Sequence, residues 1–112
     1  MLKRNKRIGN RDNIDDLAKN GDSIESRLLV LRTRKNEFDC NRYGVNISKK
    51  IAKSAVARNR LRRHIYEIIR LNEKSGKIVG KSLDIMIFAR KALLGMNYTN
   101  IEIALMETFK KL

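Results

Sequence analysis

Proline and tryptophan are absent from this chain of 112 residues, and cysteine and histidine occur once each. A single thiol, Cys40, excludes an internal disulfide, and one histidine, His64, leaves no Cys/His cluster to hold zinc. Three Tyr and three Phe imply a core built mainly from Ile, Leu, Val and Met. Acidic residues are also scarce: 12 Asp and Glu face 26 Lys and Arg, for a formal net charge of +14 and a pI of about 10.4. Such a surface attracts polyanions, nucleic acid first and an anionic membrane second. No run approaches the roughly 20 apolar residues of a membrane span. The basic start, residues 1–11, is followed by no apolar segment of the secretory kind. The expectation is a soluble, cytoplasmic protein of one domain, 1–112, opening with a basic arm over 1–11.

What is present falls into segments. Ile14, Leu17 and Ala18 are at helical spacing before the stop signal Asn20-Gly21, which predicts a short helix over residues 12–20. The branched run "RLLVLRTR" (27–34) reads as a strand leading into the polar turn 35–37. "RYGVNIS" (42–48) alternates, with Tyr43, Val45 and Ile47 on one face and Gly44, Asn46 and Ser48 on the other. From about Ser54 to Leu71 the period is helical. At roughly 100° per residue Ala57, Leu61, Ile65 and Ile68 form one stripe, and Asn59, Arg62, Arg63, Tyr66 and Arg70 fall opposite. "LDIMIFAR" (83–90) reads as a strand buried on both faces. Thr99 and Glu102 have capping-box spacing ahead of a last helix with the stripe Ile101, Leu105, Phe109 and Leu112. The order is α-β-β-α-β-α, an α/β pattern. Its basic helix is the crossover of a parallel βαβ unit, which the general rule makes right-handed.

Side chains that could carry chemistry are few. Nothing in the spacing brings Cys40 to His64, and a histidine beside the apolar stripe reads as a packing residue. Asp15 and Asp16 are neighbours on a helix and cannot share one reacting centre. Gly76 and Gly80 match no phosphate-cradling loop. Residues 47–70, "ISKKIAKSAVARNRLRRHIYEIIR", are different: they hold eight Lys or Arg against the single Glu67, half of the net charge of the whole chain. A solvated helix face would intersperse acids at i,i+4, whereas this one repels itself unless a polyanion binds. Arginine outnumbers lysine in "RNRLRR", which suits bidentate phosphate contact. The small residues Gly44, Asn46 and Ser48 either face water or leave a shallow groove for an extended nucleic-acid strand.

The run "GVNISKKIAKSAVARNRLRRHIYE" (44–67) resembles the signature of the bacterial ribonuclease P protein subunit, in which a strand ending G-x-x-x-S-K-K leads into a helix bearing an R-N-R block. Gly44, Ser48, Lys49, Lys50, Arg58, Asn59, Arg60, Arg62, Arg63 and Glu67 stand at matching positions, and the surrounding pattern agrees over nearly the whole chain. The resemblance implies a small α/β sandwich with a mixed sheet, whose arginine-rich crossover helix makes the rare left-handed connection and binds the catalytic RNA of a ribonucleoprotein. That enzyme removes the 5′ leader of precursor tRNA with magnesium held by RNA and substrate phosphates, so no protein catalytic residue, protein metal site, membrane or small-molecule substrate is expected.

On this reading the RNA contacts are Lys49, Lys50, Lys53, Arg58, Asn59, Arg60, Arg62, Arg63, Tyr66 and Arg70, and a leader-binding face draws on Ile14, Ala18, Tyr43, Asn46 and Ser48. Two departures from the family pattern bear on this. Tyr66 replaces the last arginine of the block and offers a ring for base stacking, while Ile14 and Ala18 replace the phenylalanines that line the leader cleft. Three rivals share the charge: a structural ribosomal-type RNA-binding protein with no role in cleavage, a DNA-binding regulator, and a membrane-surface helix. The DNA reading lacks the short helix-turn-helix arrangement. The membrane reading needs Leu61, Ile65 and Ile68 exposed to lipid.

Overall fold

The structure, a computed structural model, describes residues 6–8 and 21–112. Four strands, β1 (Asp22–Glu25), β2 (Leu29–Lys35), β3 (Arg42–Asn46) and β4 (Leu83–Ala89), form one sheet in the order β1-β2-β4-β3. β1 pairs antiparallel with β2 and β2 with β4, whereas β3 and β4 are parallel. A parallel pair cannot be joined by a hairpin, and helix α1 (Ala55–Lys74) makes the return. A short 3-10 turn, Lys91–Leu93, then leads to α2 (Tyr98–Phe109). The α/β class and the parallel crossover are as expected. The helix read over 12–20 lies outside the described residues. β1 was not anticipated, because "DSIE" carries one apolar residue and pairs on one side only.

Both helices cover the same face of the sheet. The alternating set Leu29, Leu31, Tyr43, Val45, Ile85 and Ile87 packs there against Leu61, Ile65, Ile68 and Ile69 of α1 and Ile101, Leu105 and Phe109 of α2. Burial of these side chains in the protein's own core removes them from any lipid surface. The rings of Tyr43 and Phe109 stack with centroids 6.2 Å apart. Asn72 ties the two helices together, since its side-chain amide donates to the Ile68 carbonyl (2.7 Å) and to Glu102 Oε2 (3.1 Å). Glu102 is therefore not the capping-box acid its spacing suggested. The cap of α2 is Asn97, which accepts from the Asn100 N–H at 2.8 Å.

At one end of the sheet a buried ion pair joins β3 to β4. Arg42 donates from Nε to Asp84 Oδ1 (2.8 Å) and from Nη2 to Oδ2 (2.7 Å), and the Asn36 amide adds a third bond at 3.0 Å. The Arg42 guanidinium also lies over the Phe38 ring, 4.4 Å from its centre. Asp84 is 2% exposed, so removing it takes a buried carboxylate from a guanidinium with little water to solvate it. Asp84→Ala is expected to cost about 3 kcal/mol or more, read as a lowered urea midpoint in sulfate buffer. A loss below about 1 kcal/mol would place the pair among surface contacts.

Candidate nucleic-acid interface

The basic segment starts at Ser48, whose carbonyl accepts from the N–H groups of Ile51 and Ala52 at 3.1 Å each and turns the chain away from β3. Ser54 caps α1 by accepting from the Ala57 N–H (3.2 Å). Arg58 then reaches back, its Nη1 donating to the carbonyls of Ala52 (2.7 Å) and Lys53 (3.0 Å), so this guanidinium braces the turn. No acid lies in the first turn of α1. The positive end of the helix dipole and the arginines therefore repel one another, a cost that a bound anion would offset.

Lys49, Lys50, Lys53, Asn59, Arg60 and Arg63 are exposed, and among the described residues no carboxylate pairs with these cations. Arg62 is half-buried and donates to Asn59 Oδ1 at 2.8 Å. Arg70 differs, because it donates from Nε and Nη2 to the Glu67 carboxylate one turn back. That partner spends much of the Arg70 charge within the helix. His64 is half-buried and meets the Tyr98 ring edge-on at 5.6 Å, the packing role its spacing suggested.

Two tyrosines are placed otherwise than expected. Tyr66 was read as a stacking ring beside the arginines, yet it is 6% exposed and belongs to the core. Position 66 lies at the edge of the apolar stripe, and a ring there reaches the sheet where an arginine would reach water. Tyr43 was placed on the leader face and is fully buried on the helix-covered side. Its hydroxyl donates to Glu73 Oε2 at 2.6 Å, and burial with that bond pushes its pKa well above the ordinary range. Neither ring has free surface for a base. Ile14 and Ala18 lie outside the described residues, whereas Asn46 and Ser48 are exposed.

Strand alternation puts Asn46 on the sheet face away from the helices, together with Gly44, Met86 and Phe88 and with Arg32 and Arg34 of β2. A Cβ on Gly44 would sit 2.5 Å from Met86 Sδ, so glycine is what permits that close approach. Arg32 and Arg34 were missed as candidates. The signal was available in "LVLRTR", where apolar and cationic residues alternate. The arm also reaches this edge of the sheet: Arg7 bridges Tyr43 in parallel, the Ile8 N–H donates to the Tyr43 carbonyl (2.8 Å), and Lys6 Nζ donates to Glu73 Oε1 (2.7 Å). Residues 6–8 are therefore held, not free. Away from all of these, a concavity of about 580 Å³ between the end of α1, residues 77–81 and α2 is lined by Ile78, Ile103, Met106 and Phe109, with Lys77 and Lys81 among its walls.

Among the described residues no group of three His, Cys, Asp or Glu side chains could hold a metal, and no helix is long and apolar enough to cross a membrane. The Arg70 guanidinium holds the Glu67 carboxyl down to about 2. Because the folded value is depressed, the contribution of this pair is present above the ordinary carboxylate range and is lost as pH falls toward 2. An NMR titration is expected to find the Glu67 midpoint at about 2. In Arg70→Ala its midpoint should rise toward 4.5, and an unmoved midpoint would refute the pairing.

Residues 2–112 match the family model for Ribonuclease P. The ribonuclease P protein component of Lachnoclostridium phytofermentans is 40% identical over 109 residues, covering 97% of this chain and 85% of that one. That of Clostridium botulinum strain 657 is 41% identical over 91 residues, covering 81% and 79%. Among solved structures, the RNase P protein of Thermotoga maritima superposes with a TM-score of 0.83 at 28% identity, covering 95% of this chain and 96% of that one. The RNase P protein of Staphylococcus aureus gives 0.81 at 30%, covering 95% and 94%. The fold is thus shared with solved RNase P proteins, and this chain belongs to the ribonuclease P protein family.

Proposed function

We propose that this chain is the protein subunit of a cytoplasmic ribonuclease P, binding the enzyme's RNA and the 5′ leader of precursor tRNA to support removal of the leader in tRNA maturation. The observation that carries the reading is the run of exposed cations from Lys49 to Arg63 with no described carboxylate to neutralise them. In this reading Lys49, Lys50, Lys53, Arg60, Arg62 and Arg63 engage phosphates and release counterions, Asn59 orients Arg62, and Arg58 supports the turn that presents the lysines. Magnesium is held by RNA and substrate phosphates. The acids nearest this surface are unsuited to holding it, because Glu67, Glu73 and Asp84 are committed to Arg70, Lys6 and Arg42.

The leader lies on the sheet face away from α1 and α2, across Asn46 and Ser48 and alongside Arg32 and Arg34. Their mix of amide, hydroxyl and guanidinium groups suits an extended single strand without reading its sequence. Tyr43 and Tyr66 have no part in stacking, and affinity for the leader rests on charge and hydrogen bonding.

Cleavage of precursor tRNA by a bacterial ribonuclease P RNA at low magnesium is expected to be rescued by this protein and not by its Arg60/Arg62/Arg63 triple Ala variant. Arg58 is left intact so that the turn survives. Tight RNA binding without rescue would favour a structural ribosomal-type RNA-binding protein. If about six phosphates are engaged, log K for RNA should fall with log salt at a slope of about −5 at most. Arg63→Ala should lower its magnitude by about one, and an unchanged slope would remove Arg63 from the interface.

A further inference from the structure

We propose that the groove bounded by α2, the end of α1 and residues 77–81 docks an acidic amphipathic helix of a protein partner. Apolar side chains of that helix lie on Ile103, Met106 and Phe109, and its carboxylates meet Lys77, Lys81 and Lys110. This surface is separate from the RNA-binding one, since no residue from Lys49 to Arg63 lines it, nor do Arg32, Arg34 or Asn46.

Ile103, Met106 and Phe109 recur at three-residue spacing along α2, over which the helix rises about 9 Å, nearly two turns. Ile103 is 51% exposed, and Val79 on the loop wall is 66% exposed. Of the five large apolar side chains exposed among the described residues, these two border one concavity of about 580 Å³. Single apolar residues on a surface are ordinary, whereas a concave apolar patch with a polar rim marks an interaction site.

The loop wall is fixed in the free chain. The N–H groups of Lys77 and Ile78 both donate to the Asn72 carbonyl, at 2.9 and 3.1 Å. The buried Asn41 side chain donates to the Val79 carbonyl (3.3 Å) and accepts from the N–H groups of Lys81 (2.9 Å) and Leu83 (3.1 Å). A groove already in place spares the complex the cost of ordering it. The same bonds occupy the Val79 carbonyl and the Lys81 N–H, groups that an added strand would need. Side chains at i, i+3 and i+4 of a helix suit such a wall better.

Charge selects the partner's sign. Lys77, Lys81 and Lys110 line the groove against one acid, Glu102, which is bonded to Asn72. Among the described residues none of the three lysines meets a carboxylate side chain, and Lys81 Nζ donates to the Leu112 main-chain oxygen (2.8 Å). A second copy of this chain is a poor occupant, because two molecules of +14 repel. Nucleic acid supplies negative charge but no aliphatic stripe to match Ile103 and Met106.

The test follows the Ile and Met methyl signals of the full chain by NMR. The probe is a synthetic helix of about four turns, with leucines at i, i+3, i+4 and i+7 and glutamates on both flanks. One control carries glutamines for the glutamates and the other serines for the leucines. The Ile103 and Met106 signals are expected to move saturably with the acidic helix, while that of Ile51, in the basic segment, stays. Each control should bind about tenfold more weakly, as should the acidic helix to Ile103→Ser and to the double variant Lys77→Glu/Lys110→Glu. Val79→Ser, at a still more exposed position, carries the same expectation should Ile103→Ser lower the urea midpoint.

An Ile51 signal that moves while Ile103 stays would put the acidic helix on the RNA-binding cations and overturn the proposal. Equally tight binding of the glutamine helix would overturn the choice of an acidic partner. Octanoate moving Ile103 and Met106 where the helix does not would make the groove a site for small amphiphilic acids. A short single-stranded RNA moving them would make it part of the nucleic-acid surface, and either result overturns the docking of a protein helix. Ile103 shifts that depend on the concentration of the chain alone would do so too, by showing a second copy in the groove.

Discussion

The parallel pairing of β3 with β4 sends the chain off one end of the sheet and requires it to return before β4 can begin. α1 makes that return, with Leu61, Ile65, Ile68 and Ile69 buried against the sheet. The position of every other group on the helix follows from this contact. Once that stripe is buried, Arg60 and Arg63 project into water, Arg62 is half-buried against Asn59 and Tyr66 joins the core. Burial of the stripe thus aims the cations, and mutual repulsion among them is the cost of aiming so many to one side.

Carboxylates show the same division of labour. Asp84 secures Arg42, Glu73 secures Lys6 and Tyr43, and Glu67 secures Arg70. These pairs join β3 to β4, the arm to the helix, and one helical turn to the next. Among the described residues, the cations from Lys49 to Arg63 meet no acid. A protein of +14 that commits Asp84, Glu73 and Glu67 to such joints keeps the charge of the segment from Lys49 to Arg63 available to a polyanion.

Much of this was legible in the residues themselves. The period of α1, the alternation of β3 and the apolar run of β4 are local patterns, and the structure places all three where those patterns put them. The basic block is also local, since its charge excess is a property of consecutive residues. The failures were of other kinds. β1 carries too little apolar patterning to stand out. Tyr66 looked exposed because a helical wheel treats the helix as a cylinder with one buried side, whereas a sheet that extends past the helix buries a wider arc. Glu102 has capping-box spacing, but Asn97 took the cap and the acid turned to Asn72.

By itself the amino-acid order determined the α/β class, the crossover helix, the core stripe and the sign and place of the charge, because each follows from spacing along one segment. Only the tertiary structure decided which acid meets which base and that Tyr43 and Tyr66 are core rings. It also decided that Arg32 and Arg34 share a face with Asn46 and that residues 6–8 lie along β3. Those facts depend on the order of strands in the sheet and on contacts between residues up to 67 positions apart, as in Lys6 with Glu73. No period along the chain encodes such a contact.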